Sequence, residues 1–372
     1  MQSWASEELK YAALPDKRLN QRLIKIVENL AQQPNASIPQ ASDDWAGTKA
    51  TYNFWKSERV DAGEIIEAHQ KQTAQRASKE EIILAIQDTS DFNFTHHSRK
   101  TEEQGFGMTC AQKYVRGLKV HSLMASTTQG VPLGILEQQI WTRPLKTKKK
   151  KNQKTRQSIL NKESKRWLTG LVSAELAIPA TTTVVTVTDR EGDIYDLFAL
   201  KRESNSELLI RAKHNRRVNH ELKFVQVAIA KTPSVGQLEI VVPRRDEKQS
   251  RTANLTIRYA SFDFPPPINR AKSFQHQSVN LNVISALEDN PKPETKPIQW
   301  LLLTTLEIQS FESAVHYLRW YTYRWLIERY HYVLKSGCRI EQLQLKTAQR
   351  IKKALATYTI VAWRLLWLTN PS

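Results

Sequence analysis

Apolar positions within residues 1–75 recur at helical spacing. Leu19, Leu23, Ile26, Val27 and Leu30 form one stripe, leaving Arg18, Arg22 and Lys25 on the remaining face. Pro34 to Pro39 breaks this helix. Ser42-Asp43-Asp44 then caps a second helix carrying Trp45, Tyr52, Phe54 and Trp55, and Asp61 opens a third. From Glu81 the rhythm changes. Ile82 to Ile86 is a short buried-strand run that stops at Gln87-Asp88-Thr89, and Leu118–Ser126 and Val131–Trp141 read as two more strands.

A helix fits Lys162 to Ala177, and the β-branched run Thr181 to Thr188 ends abruptly at Asp189-Arg190-Glu191-Gly192-Asp193. A short helix is expected from Asp193 or Ile194, with Asp193 as its N-cap, and Leu208-Leu209-Ile210 is another strand. Residues 216–297 alternate polar and apolar positions around Pro265-Pro266-Pro267, Pro291 and Pro293, which predicts a mainly β insertion. Trp300 to Thr304 adds a strand, and two long helices follow over Phe311–Lys335 and Lys346–Leu368. Strands alternating with helices give an α/β fold class.

Charge narrows the choice of partner. The 372 residues carry 55 Lys plus Arg against 37 Asp plus Glu, a net charge of +18. That surplus favours a polyanion, through counterion release from phosphates, although RNA-binding and membrane-surface proteins share the bias. Cys110 and Cys338 stand far apart, which excludes a cysteine-rich zinc site and argues against a disulfide framework. No apolar run approaches membrane-spanning length, and no basic segment followed by an apolar stretch opens the chain. A cytoplasmic, nucleoid-associated location in a bacterium is expected.

Two aspartates, Asp88 and Asp189, each follow an apolar strand directly, where ligands gather in open α/β sheets. Strand-end aspartates also serve as plain turn or cap residues, and Asp91, Glu191, Asp193 and Asp196 compete for any role. Further on, Tyr321, Arg324, Glu328 and Lys335 fall within a stripe of roughly 60° on a helical projection. Tyr323, Leu326, Ile327, Tyr330, Val333 and Leu334 occupy the opposite side. A solvated face with helical ion pairs would show the same spacing. Phosphodiester cleavage by two hard Mg²⁺ ions is the chemistry that needs a carboxylate trio beside Arg and Lys.

The spacing Tyr-x₂-Arg-x₃-Glu-x₆-Lys, filled by Tyr321, Arg324, Glu328 and Lys335, resembles the YREK signature of bacterial insertion-sequence transposases of the DDE class. The chain closely resembles the hairpin-forming, cut-and-paste branch that includes the transposase of the kanamycin-resistance composite transposon. Gln87-Asp88-Thr89 resembles the family's first-Asp strand, and Asp189 to Ile194 its second-Asp segment. Ile210 to His214 and Trp300 to Thr304 also look like family segments, and Arg18, Leu19, Tyr52 and Phe54 resemble its end-binding domain.

The resemblance implies a helical end-binding domain over 1–75, then an RNase H-like core over 76–372 interrupted by the β insertion. The interval from Asp189 to Glu328 is 328 − 189 = 139 positions, which that insertion fills. It implies cut-and-paste transposition by nicking, hairpin formation, hairpin opening and strand transfer. Asp88, Asp189 and Glu328 would be the catalytic Mg²⁺ ligands, with Mn²⁺ able to substitute. Tyr321, Arg324 and Lys335 would contact phosphates, Arg211 and Lys213 would contact DNA, and Trp300 would stack on a flipped base. The implied partners are double-stranded DNA, as transposon ends and target, and a second copy in a synaptic dimer. Two features depart from the family. The run Lys148 to Lys151 matches nothing basic in it and suits a DNA-tracking or solvated loop. The chain stops at Ser372, soon after its last helix, where the relative continues into a dimerisation region, so a monomer that pairs only on DNA is expected. A shortened or domesticated relative that binds ends without transposing is the alternative, and an RNase H-like nuclease without strand transfer is a third. The adjacent His96-His97 has no spaced partners and reads as a solvated loop.

Overall fold

The computed structural model describes residues 3–97, 100–110, 115–143, 162–242, 251–268, 278–291 and 297–370. Five helices come first: α1 (Trp4–Glu8), α2 (Lys17–Gln32), α3 (Ile38–Ala41), α4 (Trp45–Lys56) and α5 (Ala62–Ala77). Strands β1 (Ile82–Asn93), β2 (Gly107–Cys110), β3 (Val115–Thr127) and β4 (Pro132–Trp141) follow, then α6 (Lys165–Ala177) and β5 (Thr183–Thr188). The chain continues as α7 (Tyr195–Ala199), β6 (Ser206–Arg211), α8 (Val225–Lys231), β7 (Gly236–Val242), β8 (Arg251–Phe264), β9 (Val279–Glu288) and β10 (Gln299–Thr304). Helices α9 (Phe311–Thr322), α10 (Trp325–Tyr332) and α11 (Ala348–Leu368) complete it. These elements form two compact units, one drawn from 1–148, 170–184 and 325–372, the other from 149–169 and 185–324.

In the first unit the expected N-terminal helices form where their caps stand. The carboxylates of Asp16, Asp44 and Asp61 accept from the backbone N–H groups of Arg18, Gly47 and Gly63, satisfying donors that a helix start leaves over. Their apolar stripes do not close on one another alone. Helix α11 is buried without a break from Ala354 to Trp363, too long a run for an amphipathic surface helix. It supplies a core for α2, α4 and α5, and Trp55 Nε1 donates to Thr357 Oγ1 at 3.2 Å. A charged network sits in the same interior. Arg76 donates to both oxygens of Glu8 at 2.7 and 3.1 Å, His69 Nδ1 lies 2.6 Å from Glu8 Oε1, and Ile135 N donates to His69 Nε2.

Strand β1 pairs antiparallel with β3 from Ile83 to Asn93, and β3 carries β2 and β4 along its other edge. The strand therefore does not stop at Asp88, as the apolar run alone predicted. Unbroken burial ends at Gln87, but β3 is long enough to hold the backbone six residues further, to Asn93, and Asp88 sits opposite Ser122 in mid-strand. Gly170 brings α6 close against this strand, for a Cβ there would lie 2.5 Å from Gln87 Oε1.

In the second unit β7, β8, β9 and β10 run as an antiparallel series, and β10 pairs with β6 so that Leu302 faces Arg211. The insertion is mainly β as expected, with α8 as its helix among the described residues. Arg251 and Glu288 form a bidentate pair between β8 and β9.

The single helix expected over Phe311–Lys335 is instead broken. After α9, Tyr323 N and Arg324 N reach back three residues, to Trp320 O and Tyr321 O, both at 3.1 Å, and this tightening ends the α-helical ladder. Helix α10 restarts at Trp325 and widens into a π-helical turn over Val333–Gly337. The division between units falls at the same place, between Arg324 and Trp325.

Candidate active site and nucleic-acid interface

Asp88 lies on the face of β1 and β3 against which α10 packs. His331 bridges the two strands, with Nε2 hydrogen-bonded to Ser122 Oγ at 3.2 Å and Nδ1 at 3.6 Å from Asp88 Oδ2. The second distance suits an ion pair with a protonated ring and is too long for a good hydrogen bond. Strand period and helix period then agree. Phe92 stands two pleats beyond Asp88, Lys335 stands four residues beyond His331, and Lys335 Nζ lies 5.3 Å from the centre of the Phe92 ring. Burial pushes the Lys335 ammonium below its ordinary value, while the charges of Glu341, Asp91 and Asp88 draw it back up. Lys119, ion-paired with Asp91, adds a second cation there. Glu328 precedes His331 by three residues on α10, a spacing that places the two on one helix face, and it is half-buried. Asp88, Glu328 and Lys335 thus belong to one unit, with His331 and Lys119 as neighbours the sequence reading passed over. A histidine at i+3 from Glu328 was the available signal.

Asp189 belongs to the other unit. Its Oδ1 accepts from Glu191 N at 2.8 Å, capping the turn Arg190–Gly192, and Glu191 pairs with Arg166 at 2.9 Å. Asp193 has a different job from the N-cap expected of it. Ile194 precedes α7 instead, and the Asp193 carboxylate, fully buried, accepts from Lys213 N, His214 N and the Arg216 guanidinium at 2.5–2.9 Å. This clamp orders the chain after β6 and occupies the Arg216 guanidinium. Lys213 and Arg217 remain exposed. Arg211 is half-buried and donates to Gln299 O at 3.0 Å.

The stripe of Tyr321, Arg324, Glu328 and Lys335 is not presented as one open face. Tyr321 and Arg324 are buried, at 4% and 7% exposure, and the break at Tyr323–Arg324 ends the helical register on which the projection relied. Leu326, Ile327, Tyr330 and Leu334 are buried as expected. The Tyr321 hydroxyl has no hydrogen-bond partner among the described residues, and its ring meets Trp300 edge to face at 5.9 Å. Trp300 is half-buried, opposite Ala286 on β9. His97 is engaged by Glu341 O at 2.9 Å, and His96 is exposed. Lys148 to Lys151 lie outside the described residues.

Among the described residues no three His, Cys, Asp or Glu side chains stand grouped to hold a metal ion. The donor chemistry of Asp88, Asp189 and Glu328, oxygen throughout, fits a hard cation. Mg²⁺ is commonly held by one or two carboxylates together with substrate phosphates, not by an all-protein cage.

A second surface lies on α4. Trp45, Lys49, Tyr52, Asn53 and Lys56 are exposed at spacings of four, seven, eight and eleven residues, one continuous helical face. Arg18 and Arg22 are exposed on α2, and Lys25 pairs with Asp43 at 2.9 Å. Aromatic and cationic side chains interleaved on one helix can meet both bases and phosphates. No helix among the described residues is long and apolar enough to cross a membrane. Residues 1–60 match a family model described as Transposase DNA-binding. That match makes the N-terminal helices a DNA-binding region of transposase type, with DNA as partner.

Proposed function

We propose that this chain is a DDE-class transposase that moves an insertion sequence by cut-and-paste, on an RNase H-like core. The observation that carries the reading is a conjunction within one chain. A DNA-binding region of transposase type, with a basic and aromatic face on α4, precedes a half-buried acid, Asp88, that shares its neighbourhood with Lys335, Lys119 and His331. The four-residue signature ending at Lys335 supports the DDE assignment.

In this reading α4 and the cations of α2 hold the end of the element, through phosphate contacts for register and base contacts for sequence. Asp88, Asp189 and Glu328 would hold Mg²⁺ or Mn²⁺, which when bound supplies an activated water and neutralises charge on the leaving 3′-oxygen. Lys335 lies half-buried beside Asp88, where a cation attracts a phosphate without competing for the metal. Tyr321 and Arg324 would contact the flanking phosphates, with Arg211 and Lys213 further along the strand. Trp300 would receive a base that leaves the stack when the hairpin closes, since an aromatic face returns part of the unstacking cost. The active complex would be a synaptic dimer on two ends.

The test is direct. Purified protein is incubated with linear DNA bearing the terminal sequences of its own element, with Mg²⁺, Mn²⁺ or chelator. Nicking at the element boundary that needs the metal is expected. Tight, sequence-selective binding with no cleavage under any metal would replace this reading with an end-binding protein that does not transpose.

A further inference from the structure

A cavity of about 200 Å³ in the first unit is lined by residues 35–40 at the start of α3, by α4 and α11, and by the segment 338–344. Six of its lining residues carry the chemistry: Asn35, Gln40, Tyr52, Arg339, Gln342 and Tyr358. Tyr358 is fully buried, yet its hydroxyl has no hydrogen-bond partner among the described residues. An orphan of this kind in a native interior calls for a ligand or water to satisfy it. Its surroundings are selective. Carboxamides stand on both walls, two tyrosines line the cavity, and the single lining charge is the Arg339 guanidinium. No carboxylate is among the lining residues, so an anionic group meets no repulsion at this wall.

The walls are also held in place. Glu341 Oε1 accepts from Asn93 N at 2.6 Å, His97 engages Glu341 O, and Lys100 Nζ donates to Leu343 O at 2.6 Å, which pins 341–343. Gln40 Oε1 accepts from Ser37 N and Ser37 Oγ, so the capping arrangement fixes the other wall and leaves the Gln40 amide N–H groups to be used. Arg339 itself stands in the left-handed region, at φ 51°, a conformation that costs energy for any residue but glycine. Drug-sized ligands need pockets of roughly 300 Å³ and more, so this one suits a single heterocycle.

We infer that this cavity binds one unstacked nucleobase with its phosphate, the base reaching the Tyr358 hydroxyl and the carboxamides while Arg339 meets the phosphate. The site is separate from Trp300, which belongs to the other unit, and it rests on DNA as the partner of residues 1–60, since Asn35, Gln40 and Tyr52 fall in that stretch. The shared chemistry has two sources, a free deoxynucleotide or a base extruded from a DNA strand.

The four deoxynucleoside monophosphates are titrated separately into the full chain by calorimetry, without divalent metal. At least one is expected to bind with Kd below about 1 mM, Tyr52→Ala and Arg339→Ala each weakening it about tenfold. Tyr358→Phe, which keeps the packing and removes only the orphan hydroxyl, should weaken it severalfold with an unchanged melting temperature. Displacement of the bound nucleotide by linear DNA with an unpaired end assigns the site to an extruded base, and persistence in its presence assigns it to free nucleotide; both outcomes uphold the cavity. Binding weaker than about 10 mM for all four, or equal binding by parent and Tyr358→Phe, overturns it. Asp88→Ala should bind the nucleotide like the parent, so a failure of the cleavage reading remains distinct from a failure here.

Discussion

Two acids in the same unit, Glu8 and Asp88, each face a histidine, and they are built for opposite purposes. Glu8 is 5% exposed and accepts from Arg76 on both oxygens and from His69. Burial alone would raise its carboxyl, yet the hydrogen bonds from His69 and Arg76 and the charge of Arg76 hold it down at about 2. His69 is fixed as well, because its Nε2 accepts from Ile135 N, which leaves the proton on Nδ1 to be given to Glu8. Asp88 has an imidazole at 3.6 Å and keeps part of its side chain open to solvent. A carboxylate bonded on both oxygens holds a structure together, and one left partly unmet is available to a cation or a substrate. Asp193 repeats the first pattern in the other unit, which is why it serves as a clamp.

The largest expected effect tests the candidate metal ligands. Asp88→Ala, Asp189→Ala and Glu328→Ala should each lower metal-dependent nicking by about a thousandfold or more, with end binding kept within about threefold in a gel-shift titration. Near-parental cleavage by any one variant removes that acid from the site. The same comparison is then turned to stability. Glu8→Ala leaves Arg76 and the His69 ring without their anion, and should cost about 3–5 kcal/mol in urea unfolding. Asp88→Ala should cost within about 1 kcal/mol. Equal losses would erase the distinction between closed and open acids.

A smaller effect concerns Trp300, which packs edge-on to Tyr321 and is therefore neither fully core nor fully free. Trp300→Ala should slow hairpin formation about tenfold while leaving the first nick in place, since ~1.4 kcal/mol of stacking is a factor of ten. Parallel loss of both steps together with a large fall in melting temperature would return Trp300 to the core.

The smallest effect is a pH profile. Glu8 is held below its unfolded value of roughly 4.3, so its contribution is present above that pH and is lost as pH falls toward about 2. Burial also lowers His69, so below roughly 6.5 the unfolded chain gains a proton that the folded one refuses. Both slopes run the same way, and stability should decline from about pH 6.5 downward. Glu8→Gln should flatten the lower part of that decline in denaturation curves taken at successive pH values.

Helix periods and aspartate caps made α2, α4 and α5 legible in the sequence, because both signals are local. So were β3, β4, β5 and β10 within a few residues. What the sequence hid was decided at long range. The continuation of β1 past Asp88 depends on the length of β3, and the job of Asp193 depends on Lys213, His214 and Arg216, some twenty positions away. The break at Tyr323–Arg324 carries no proline or glycine, so nothing in the local pattern marked it. How far each acid is met by its neighbours could not be read from the sequence, since Asp88 lies in mid-strand and the partners of Asp193 come from beyond β6.

The debt of the N-terminal helices to α11 has a consequence in time. Trp55 and the Thr357 hydroxyl that accepts its indole proton are 302 positions apart. At a synthesis rate of about 5–20 residues per second, roughly 15–60 s separate the emergence of the DNA-binding helices from the arrival of their core. A nascent chain therefore displays α4 before the interior that steadies it exists.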